Sequence, residues 1–389
     1  MDYAKILSQT VQDIKPSGIR KYFDLLEGRK DVISLTVGEP DFVTPWHIRV
    51  AAMESLERGK TYYTSNAGTM DLRNAISDYM KRRFTLEYDA KTEIIVTVGG
   101  SEAIDMTTRA LVNPGDEVII PQPAFVCYGP IAELAGGVPV IINTKEENKF
   151  KLTAEELKAA ITPKTKLLVL PYPNNPTGAI MTREDLEPIA EVLRGTDIMV
   201  LSDEIYAELT YGREHFSIAQ LNGMRERTVI ASGFSKAYAM TGWRMGYTCA
   251  PAPISKQMLK IHQYAIMCAP TMSQFAAIEA MKNGDEDVAM MRAEYNRRRR
   301  YIVGGLRGIG IECFDPEGAF YVYPNISGYG MTSEEFCERL LNETGVAIVP
   351  GSAFGDCGEG FARISYAYSV EHIAKAIDRI EKFVKTLQQ

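Results

Sequence analysis

Lys236 is the residue of this sequence that most clearly suggests chemistry. It lies in SGFSKAYAMTGWRMGY (Ser232–Tyr247), with no other charge before Arg244. One apolar run earlier, Asp203 ends DIMVLSD and Tyr206 follows three positions later, one helical turn away. A lysine amine that is uncharged near neutral pH can form an imine with an aldehyde. The sequence therefore predicts an aldehyde site at Lys236, with the capping of a helix as the alternative task for Asp203.

Other apolar runs are followed by groups that could hold such a ligand. GGSEAI contributes Gly100, Ser101 and Glu102 at a predicted helix start, where free N–H groups and the helix dipole favour a phosphate. PQPAFVCY contributes Phe125, and PYPNNPTG contributes Asn175. Taken singly, these features also fit a helix cap, a core aromatic and a turn. Their joint occurrence favours a single site.

The apolar runs are short, and helical patterns such as SEAIDMTTRALV and TREDLEPIAEVLRG separate them. Near-continuous apolar strands that alternate with helices predict an α/β fold with a mostly parallel sheet sandwiched by helices. Since ligands bind at the carboxyl ends of such strands, the groups above are expected at one edge of the sheet. The predicted strands are Glu93–Gly99, Asp116–Pro123, Lys166–Pro173, Asp197–Glu204, Arg227–Gly233 and Gly246–Ala250.

The C-terminal part has a different pattern, in which long charged helices bracket the short strands GAFYVYP and FARISYAY. This mixture predicts a smaller α+β domain, completed by the N-terminal segment DVISLTVGEPDF. We therefore expect a large, ligand-carrying domain at residues 46–285 and a small domain formed by residues 1–45 and 286–389. A chain of 389 residues is too long for one small core, which agrees with this division.

Composition excludes several classes of protein. The formal net charge of -7 argues against nucleic-acid binding, and the basic run NRRRRY (Asn296–Tyr301) is interpreted as a solvated helix face. The six cysteines and four histidines are scattered, so neither a disulfide framework nor a metal site is expected. No apolar stretch has the length of a signal peptide core or a membrane span. We expect a soluble, cytoplasmic protein.

A phosphorylated pyridine aldehyde would give every predicted group a task. Asp203 would keep the ring nitrogen protonated, so that the ring accepts electrons. Tyr206 and Asn175 would bond the ring hydroxyl, and Phe125 would stack on the ring face. The GGSEAI turn and Arg244 would bind the phosphate. One cofactor would thus account for the whole set.

The motifs NNPTG, SDEIY, SKAYAMTGWRMGY and FARISYA occur in this order, and nearly the whole chain resembles the fold-type I pyridoxal-phosphate enzymes, specifically the class I aminotransferases. The resemblance implies pyridoxal 5'-phosphate bound covalently to Lys236, which also moves the substrate Cα proton. It implies that Arg363 of FARISYA grips the substrate α-carboxylate bidentately. Asn175, and Gly38 of TVGEPDF, would be further substrate contacts.

The resemblance also bears on assembly and on the phosphate. Tyr63 in KTYYTSNAG matches a tyrosine that reaches the phosphate of the neighbouring subunit, which implies a homodimer with shared active sites. Many relatives have a phosphate-binding serine three residues before the lysine, where this chain has Gly233. Ser232 or Ser235 would have to supply the hydroxyl instead.

Phrases such as SGIRKY, VISLTVGEPDF and VLPYPNNPTG resemble the PatA-type N-acetyl-L,L-diaminopimelate aminotransferases and the aromatic aminotransferases. The expected activity is ping-pong transfer of an amino group from an L-amino acid to a 2-oxo acid such as 2-oxoglutarate, within lysine biosynthesis if the donor is acetylated diaminopimelate. Residues near Ile14–Arg20, Gly38–Pro40 and Tyr63 are expected to line the side-chain pocket. The alternatives are a β-lyase of the cystathionine β-lyase type, an aspartate aminotransferase and a non-catalytic regulator.

Overall fold

The structure is a computed structural model that describes residues 1–16, 18–19, 29 and 31–387. The described strands, in chain order, are β1 (Ile33–Ser34), β2 (Ile94–Thr97), β3 (Glu117–Gln122), β4 (Val138–Asn143), β5 (Thr165–Leu170), β6 (Met199–Asp203), β7 (Thr228–Gly233), β8 (Gly246–Cys249), β9 (Tyr321–Val322), β10 (Val346–Ala347), β11 (Val349–Pro350) and β12 (Ala362–Ser365). The described α-helices are α1 (Gln9–Asp13), α2 (Trp46–Glu57), α3 (Met70–Phe84), α4 (Gly99–Leu111), α5 (Tyr128–Leu134), α6 (Ala154–Ala160), α7 (Arg183–Leu193), α8 (Ala252–Ala265), α9 (Thr271–Asn283), α10 (Asp285–Gly308), α11 (Ser333–Thr344) and α12 (Val370–Leu387).

Seven strands form one sheet in the order β2-β8-β7-β6-β5-β3-β4. Its neighbours are parallel except that β8 runs antiparallel to β2 and β7. The predicted α/β fold with a mostly parallel sheet is confirmed, and each predicted strand is present. The edge strand β4 is an addition: its sequence VPVIIN contains a proline, and Val138 and Ile141 are exposed, so it lacks the continuous burial of the central strands.

Helices cover both faces of this sheet. Along β5, Leu167 and Val169 pack in one apolar cluster with residues of α4 and α5. Leu168 and Leu170 pack in another cluster with residues of α6 and α7. Because successive strand residues point to opposite faces, this alternation shows that the strand is buried on both sides. The near-continuous apolar runs in the sequence follow from that burial.

One small sheet joins the N-terminal segment to the C-terminal part, and a second lies within the C-terminal part. β1 pairs in parallel with β10, and β11, β12 and β9 form an antiparallel sheet. Ile33 and Leu35 share an apolar cluster with Phe336 of α11 and Ile380 of α12. The division into a large domain at residues 46–285 and a small domain stays a prediction.

Local sequence signals set the ends of the helices. At the start of α7, the Thr182 hydroxyl accepts a hydrogen bond from the Asp185 amide at 3.3 Å, and the Asp185 carboxylate accepts one from the Thr182 amide at 2.8 Å. Thr332 and Glu335 form the same reciprocal cap at α11. This helix ends at Gly345, whose φ of 71° suits a residue without a side chain.

The longest described helix, α10, contains the basic run. Arg297 and Arg300 are exposed, but Arg298 is only 6% exposed. Its guanidinium donates to Asp41 at 2.8 Å and to Glu294 at 2.9 Å. The interpretation as a solvated face is therefore wrong for Arg298, which lies on the buried side of the helix. None of the helices in the described ranges has the length and apolarity needed to cross a membrane.

Candidate active site

A cavity of about 630 Å³ lies beside the carboxyl ends of the parallel strands, a volume typical of small-molecule sites. Its walls come from residues that follow β2, β3, β5, β6 and β7, from the N-terminal segment, and from β9 and β12. Of the residues predicted for the site, those that line this cavity are Gly38, Gly100, Ser101, Phe125, Asn175, Asp203, Tyr206, Ser235, Lys236, Arg244 and Arg363.

Lys236 lies three residues beyond β7, and its amine donates a hydrogen bond to the Gly38 carbonyl oxygen at 2.5 Å. No carboxylate in the described part of the chain forms an ion pair with it. Burial lowers the pKa of Lys236 to about 8, with the Arg363 charge acting in the same direction and Glu39 against it. A half-buried amine with this pKa is partly uncharged near neutral pH, as a nucleophile requires.

Asp203 is the last residue of β6 and is buried. One carboxylate oxygen accepts a hydrogen bond from the Tyr128 hydroxyl at 2.7 Å, and the other accepts from the Ile205 amide at 3.2 Å. Burial raises the pKa of Asp203, and these two hydrogen bonds oppose the rise. No cationic side chain in the described ranges forms an ion pair with it, so its carboxylate can accept from a ligand N–H.

Arg363, on β12, is a fully buried guanidinium. Its two terminal nitrogens donate to the Asn175 side-chain oxygen at 3.0 Å and to the Thr36 carbonyl oxygen at 2.5 Å, while Nε has no partner. Its charge lies 4.6 Å from the centre of the Tyr321 ring and 4.9 Å from that of Phe354. Burial lowers its pKa. A buried cation that no described carboxylate neutralises is prepared for an anionic ligand.

Arg244 and the start of α4 form a second cationic end of the cavity. Gly99 has a φ of +77°, and a Cβ there would lie 2.5 Å from an Arg244 nitrogen, so the glycine makes room for the guanidinium. Arg244 also donates to the Thr241 carbonyl oxygen at 2.9 Å. Together with Gly100 and Ser101 in the first turn of α4, this end combines helix N–H groups with a positive charge, which suits a phosphate.

Glu102 differs from its neighbours, because it does not line the cavity. Its carboxylate accepts from the Val98 amide at 2.5 Å and lies 2.5 Å from Nδ1 of the buried His262. Any contribution of Glu102 to a phosphate site is thus confined to its backbone, and its side chain holds the turn that precedes α4.

The two candidate serines differ in position. Ser235 lines the cavity, whereas the Ser232 hydroxyl donates to the Glu204 carbonyl oxygen at 3.2 Å. Gly233 itself has no room for a side chain: a Cβ there would lie 2.8 Å from the Met245 carbonyl oxygen. The close approach of β8 therefore accounts for the glycine, and of the two serines only Ser235 lines the cavity.

Tyr63 lies outside the cavity of its own chain. Its side chain is 77% exposed, and that of the adjacent Tyr62 is 60% exposed. Of the other expected pocket residues, Ile19, Gly38 and Glu39 line the cavity, whereas Ser17 and Arg20 fall outside the described residues. No group of three or more His, Cys, Asp or Glu side chains in the described ranges could hold a metal ion.

Two tyrosines of the site were missed in the sequence. Tyr128 is the first residue of α5 and the last of the motif PQPAFVCY that also contains Phe125, and its place in that motif is a signal that could have found it. Tyr321 lies in the short strand β9, and its hydroxyl is 2.8 Å from that of Tyr206. The two-residue strand has no pattern that marks which side chain faces the cavity.

The comparisons with known proteins agree with this geometry. The profile of the family "Aminotransferase class I and II" matches residues 30–380. YugH of Bacillus subtilis (strain 168), whose name gives it an aminotransferase activity without a substrate, is 55% identical over 378 residues, which cover 97% of this chain and 98% of YugH. A probable N-acetyl-LL-diaminopimelate aminotransferase of the same organism is 47% identical, with 97% and 96% of the two chains covered.

A solved structure extends the likeness to three dimensions. The aspartate aminotransferase from Thermus thermophilus with maleate is 40% identical and has a TM-score of 0.92. The match covers 97% of this chain and 99% of the other. The two proteins therefore share one architecture over their length.

Proposed function

The chain belongs to the class I and II aminotransferases, enzymes that exchange an amino group between an amino acid and a 2-oxo acid, and on that premise we propose that Lys236 holds its pyridoxal 5'-phosphate covalently. One observation carries the proposal. A single cavity contains a half-buried amine, a buried carboxylate and a buried guanidinium, and no ion pair within the described residues neutralises any of them. A fold keeps unpaired charges of this kind where a bound ligand supplies their partners.

The cavity fits this cofactor at each end. The Arg244 guanidinium, seated against Gly99, and the first turn of α4 offer a phosphate its donors, and Asp203 offers an acceptor where a ring nitrogen would need one. The orphaned Nε of Arg363 remains for a second anion, the substrate carboxylate. The residues proposed to bind the phosphate are Gly100, Ser101, Glu102 (through its backbone), Ser235 and Arg244, with Tyr63 from a neighbouring subunit.

Each side chain then has a defined task. When bound, the cofactor ring supplies a sink for the electrons left when the substrate Cα proton is removed. Lys236 removes and returns that proton, because its lowered pKa lets it act as both base and acid. Asp203 holds a proton on the ring nitrogen, and Phe125 covers one ring face. Asn175 accepts from Arg363 through its oxygen, which leaves its N–H group for the ring oxygen beside Tyr206.

Substrate orientation falls to Arg363 and Gly38. The Arg363 fork, held by Asn175 and the Thr36 carbonyl, presents a bidentate face to an α-carboxylate. The Gly38 carbonyl is engaged by Lys236, so its N–H group is the part that can reach the substrate. A substrate held in this way would have its Cα proton near the lysine amine, which would reduce the orientational entropy lost in the reaction.

Reductive trapping tests the lysine assignment. Purified enzyme loaded with pyridoxal phosphate is treated with borohydride and digested, and we expect a pyridoxyl mass on the peptide that contains Lys236. Lys236→Ala should carry no label and no activity. Lys151→Ala is the matched control, because Lys151 is also largely buried but is paired with Asp185 at 2.6 Å. A label on another lysine, or turnover by Lys236→Ala, would refute the assignment.

The side-chain part of the pocket points to the donor. Ile19, Val37, Phe125 and Tyr321 supply its apolar wall. We propose that aromatic or other apolar amino acids, or acetylated diaminopimelate, are better donors than aspartate, with 2-oxoglutarate as the acceptor. With acetylated diaminopimelate the enzyme would serve lysine biosynthesis.

A donor screen with 2-oxoglutarate tests this choice. We expect kcat/KM for tyrosine, phenylalanine or acetylated diaminopimelate to exceed that for aspartate. A preference for aspartate would overturn the donor proposal and leave the aminotransferase activity intact. Release of pyruvate and ammonia from cystathionine without an oxo acid would instead support the β-lyase alternative.

A homodimer would account for Tyr63. Its exposed ring follows the exposed Tyr62 in the chain, and the same segment reaches the exposed Met267, whose carbonyl oxygen accepts from Asn66 at 2.8 Å. We expect light scattering to give twice the chain mass. Mixing inactive Lys236→Ala with Tyr63→Ala should restore activity, because one site of each hybrid dimer then has both residues. No recovery on mixing would place Tyr63 outside the shared site.

A further inference from the structure

Tyr321 joins the two halves of the cavity. Its fully buried hydroxyl lies 2.8 Å from the Tyr206 hydroxyl, and either oxygen can be the donor. Its strand, β9, pairs with β12, which carries Arg363, and the Arg363 guanidinium lies 4.6 Å from the centre of the Tyr321 ring. The residue therefore contacts the ring-oxygen side of the site through Tyr206 and the carboxylate side through Arg363.

The number of protons decides the direction of the bond. A phenol has one proton to donate. A Tyr206 that donated to Tyr321 would have none left for a ligand oxygen. The role proposed above for Tyr206 requires that proton, so Tyr321 must supply the one between the two oxygens.

We propose that Tyr321 is a positioning residue that donates its hydroxyl proton to Tyr206, so that the Tyr206 proton points to the ring oxygen of the cofactor. This inference rests on the proposed function. The two hydroxyls form a chain in which each donor strengthens the next, because an oxygen that accepts a hydrogen bond becomes a better donor.

The surroundings of the two hydroxyls agree with this direction. Burial raises the pKa of both hydroxyls, and the Arg363 charge opposes the rise at each. The Arg363 guanidinium lies over the Tyr321 ring, and a positive charge close to a phenol makes it a better hydrogen-bond donor. The other charged groups that face the cavity are Glu39, Asp203, Lys236 and Arg244.

Gly38 fixes the place of the Tyr321 hydroxyl. A Cβ at position 38 would lie 2.6 Å from the Tyr321 oxygen. The glycine therefore leaves the space that the hydroxyl occupies, while its carbonyl oxygen accepts from Lys236. The segment that contains Gly38 thus contacts both Lys236 and the donor chain, by which we mean the hydrogen bond from Tyr321 to Tyr206 and from Tyr206 to the ring oxygen.

The absorbance of bound pyridoxal phosphate, titrated with pH, reports on this chain. A hydrogen bond donated to the ring oxygen stabilises its negative charge and weakens its hold on the proton that it shares with the lysine nitrogen. Loss of the bond should therefore raise the pH at which the absorbance changes. We expect a rise of about one to two pH units for Tyr206→Phe and, in the same direction, roughly a few tenths of a unit for Tyr321→Phe.

Two comparisons exclude a merely structural effect. Tyr323→Phe removes a hydroxyl from a fully buried tyrosine two positions along the chain, which does not line the cavity, and should leave the titration unchanged. In the Tyr206→Phe background, Tyr321→Phe should add nothing, because its effect passes through Tyr206.

The outcomes separate the two proposals. An upward shift for both single variants, with no additional shift in the double variant, supports the donor chain. A shift for Tyr206→Phe with none for Tyr321→Phe, or an additive double variant, overturns the donor chain and leaves the proposed function standing. No shift for Tyr206→Phe overturns the donor chain together with the role of Tyr206. An enzyme that shows no lysine-dependent absorbance refutes the cofactor site itself.

Discussion

Two buried arginines in this protein are held in different ways. Arg298, in α10, is 6% exposed and donates to the carboxylates of Asp41 and Glu294. Arg363, in β12, is 2% exposed and donates to an amide oxygen and a backbone carbonyl, with Nε unpaired. Both guanidiniums lie over aromatic rings, so the surroundings differ mainly in negative charge.

The difference separates an arginine that holds the fold from one that serves a ligand. A buried cation costs several kcal/mol of solvation, which paired carboxylates offset within the folded chain. Where no such pair exists, the cost lowers the stability of the free enzyme and is offset only when an anion binds. Replacing Arg298 should therefore change mainly the free energy of unfolding. Replacing Arg363 should change mainly substrate binding and turnover.

Replacement of Arg363 should give the largest effect. For Arg363→Ala we expect kcat/KM to fall on the order of a thousandfold, because two charge-assisted hydrogen bonds to the substrate carboxylate are lost. The melting temperature should stay the same or rise, since an unpaired buried charge is removed. Arg363→Lys keeps the charge without the fork and should fall between. Steady-state kinetics and calorimetry on the same samples measure both effects. A lower melting temperature for Arg363→Ala would contradict the distinction between the two arginines.

Replacement of Arg298 should give the opposite pattern. Arg298→Met leaves Asp41 without its cation and Glu294 with Arg297 alone, and we expect the free energy of unfolding in urea to fall by about 2–3 kcal/mol. kcat/KM should change only a few-fold. Arg297→Met is the control, because the side chain of Arg297 is 60% exposed and its pairing contributes little. A large loss of turnover without a loss of stability would contradict the division of roles.

Tyr128 extends the comparison to a buried anion. Asp203 has a neutral donor as its partner, and that bond lowers a pKa which burial raises. In Tyr128→Phe the carboxylate should protonate at higher pH, so the acidic limb of the kcat/KM profile should move upward. We expect roughly a tenfold loss of kcat/KM near neutral pH. An unchanged acidic limb would show that Asp203 does not depend on Tyr128.

His47 should give the smallest effect, since it is a partly exposed imidazole between two carboxylates. Its ring nitrogens lie 2.7 Å from Glu279 and 2.9 Å from Asp287. Burial lowers the pKa of His47, but the hydrogen bonds to Asp287 and Glu279 outweigh it, so the net pKa is raised.

A raised folded-state pKa gives this stabilisation a definite pH dependence. It is complete below the ordinary histidine pKa and is lost as the pH rises through the folded value. His47→Gln should therefore lower the melting temperature at acidic pH and have little effect at alkaline pH. A penalty that grew with pH would contradict the assignment.

The sheet and the residues at its carboxyl edge could be predicted, because apolar strands and helices alternate clearly and parallel strands end at one edge. Which residues of a single helix face the interior could not be predicted. Arg297 and Arg298 look alike in the sequence, and only the packing of α10 against the segment that contains Asp41 distinguishes them.

The contact of Tyr321 with Tyr206 could not be predicted from the sequence either. Tyr321 reaches Tyr206 through the register of two short strands, in which Tyr321 pairs with Ser365. A strand of two residues has no period to reveal which face is buried. Tyr63 illustrates a different limit, since its predicted task needs a second copy of the chain.

Gly233 restricts the substitutions open to this chain. The present backbone does not accommodate Gly233→Ser, because the new Cβ would lie 2.8 Å from the Met245 carbonyl oxygen and 3.0 Å from the Cα of Gly246. A serine here would require β8 to move away from β7. Ser235, which lines the cavity beside Lys236, is free of this constraint and stays the hydroxyl proposed for the phosphate end.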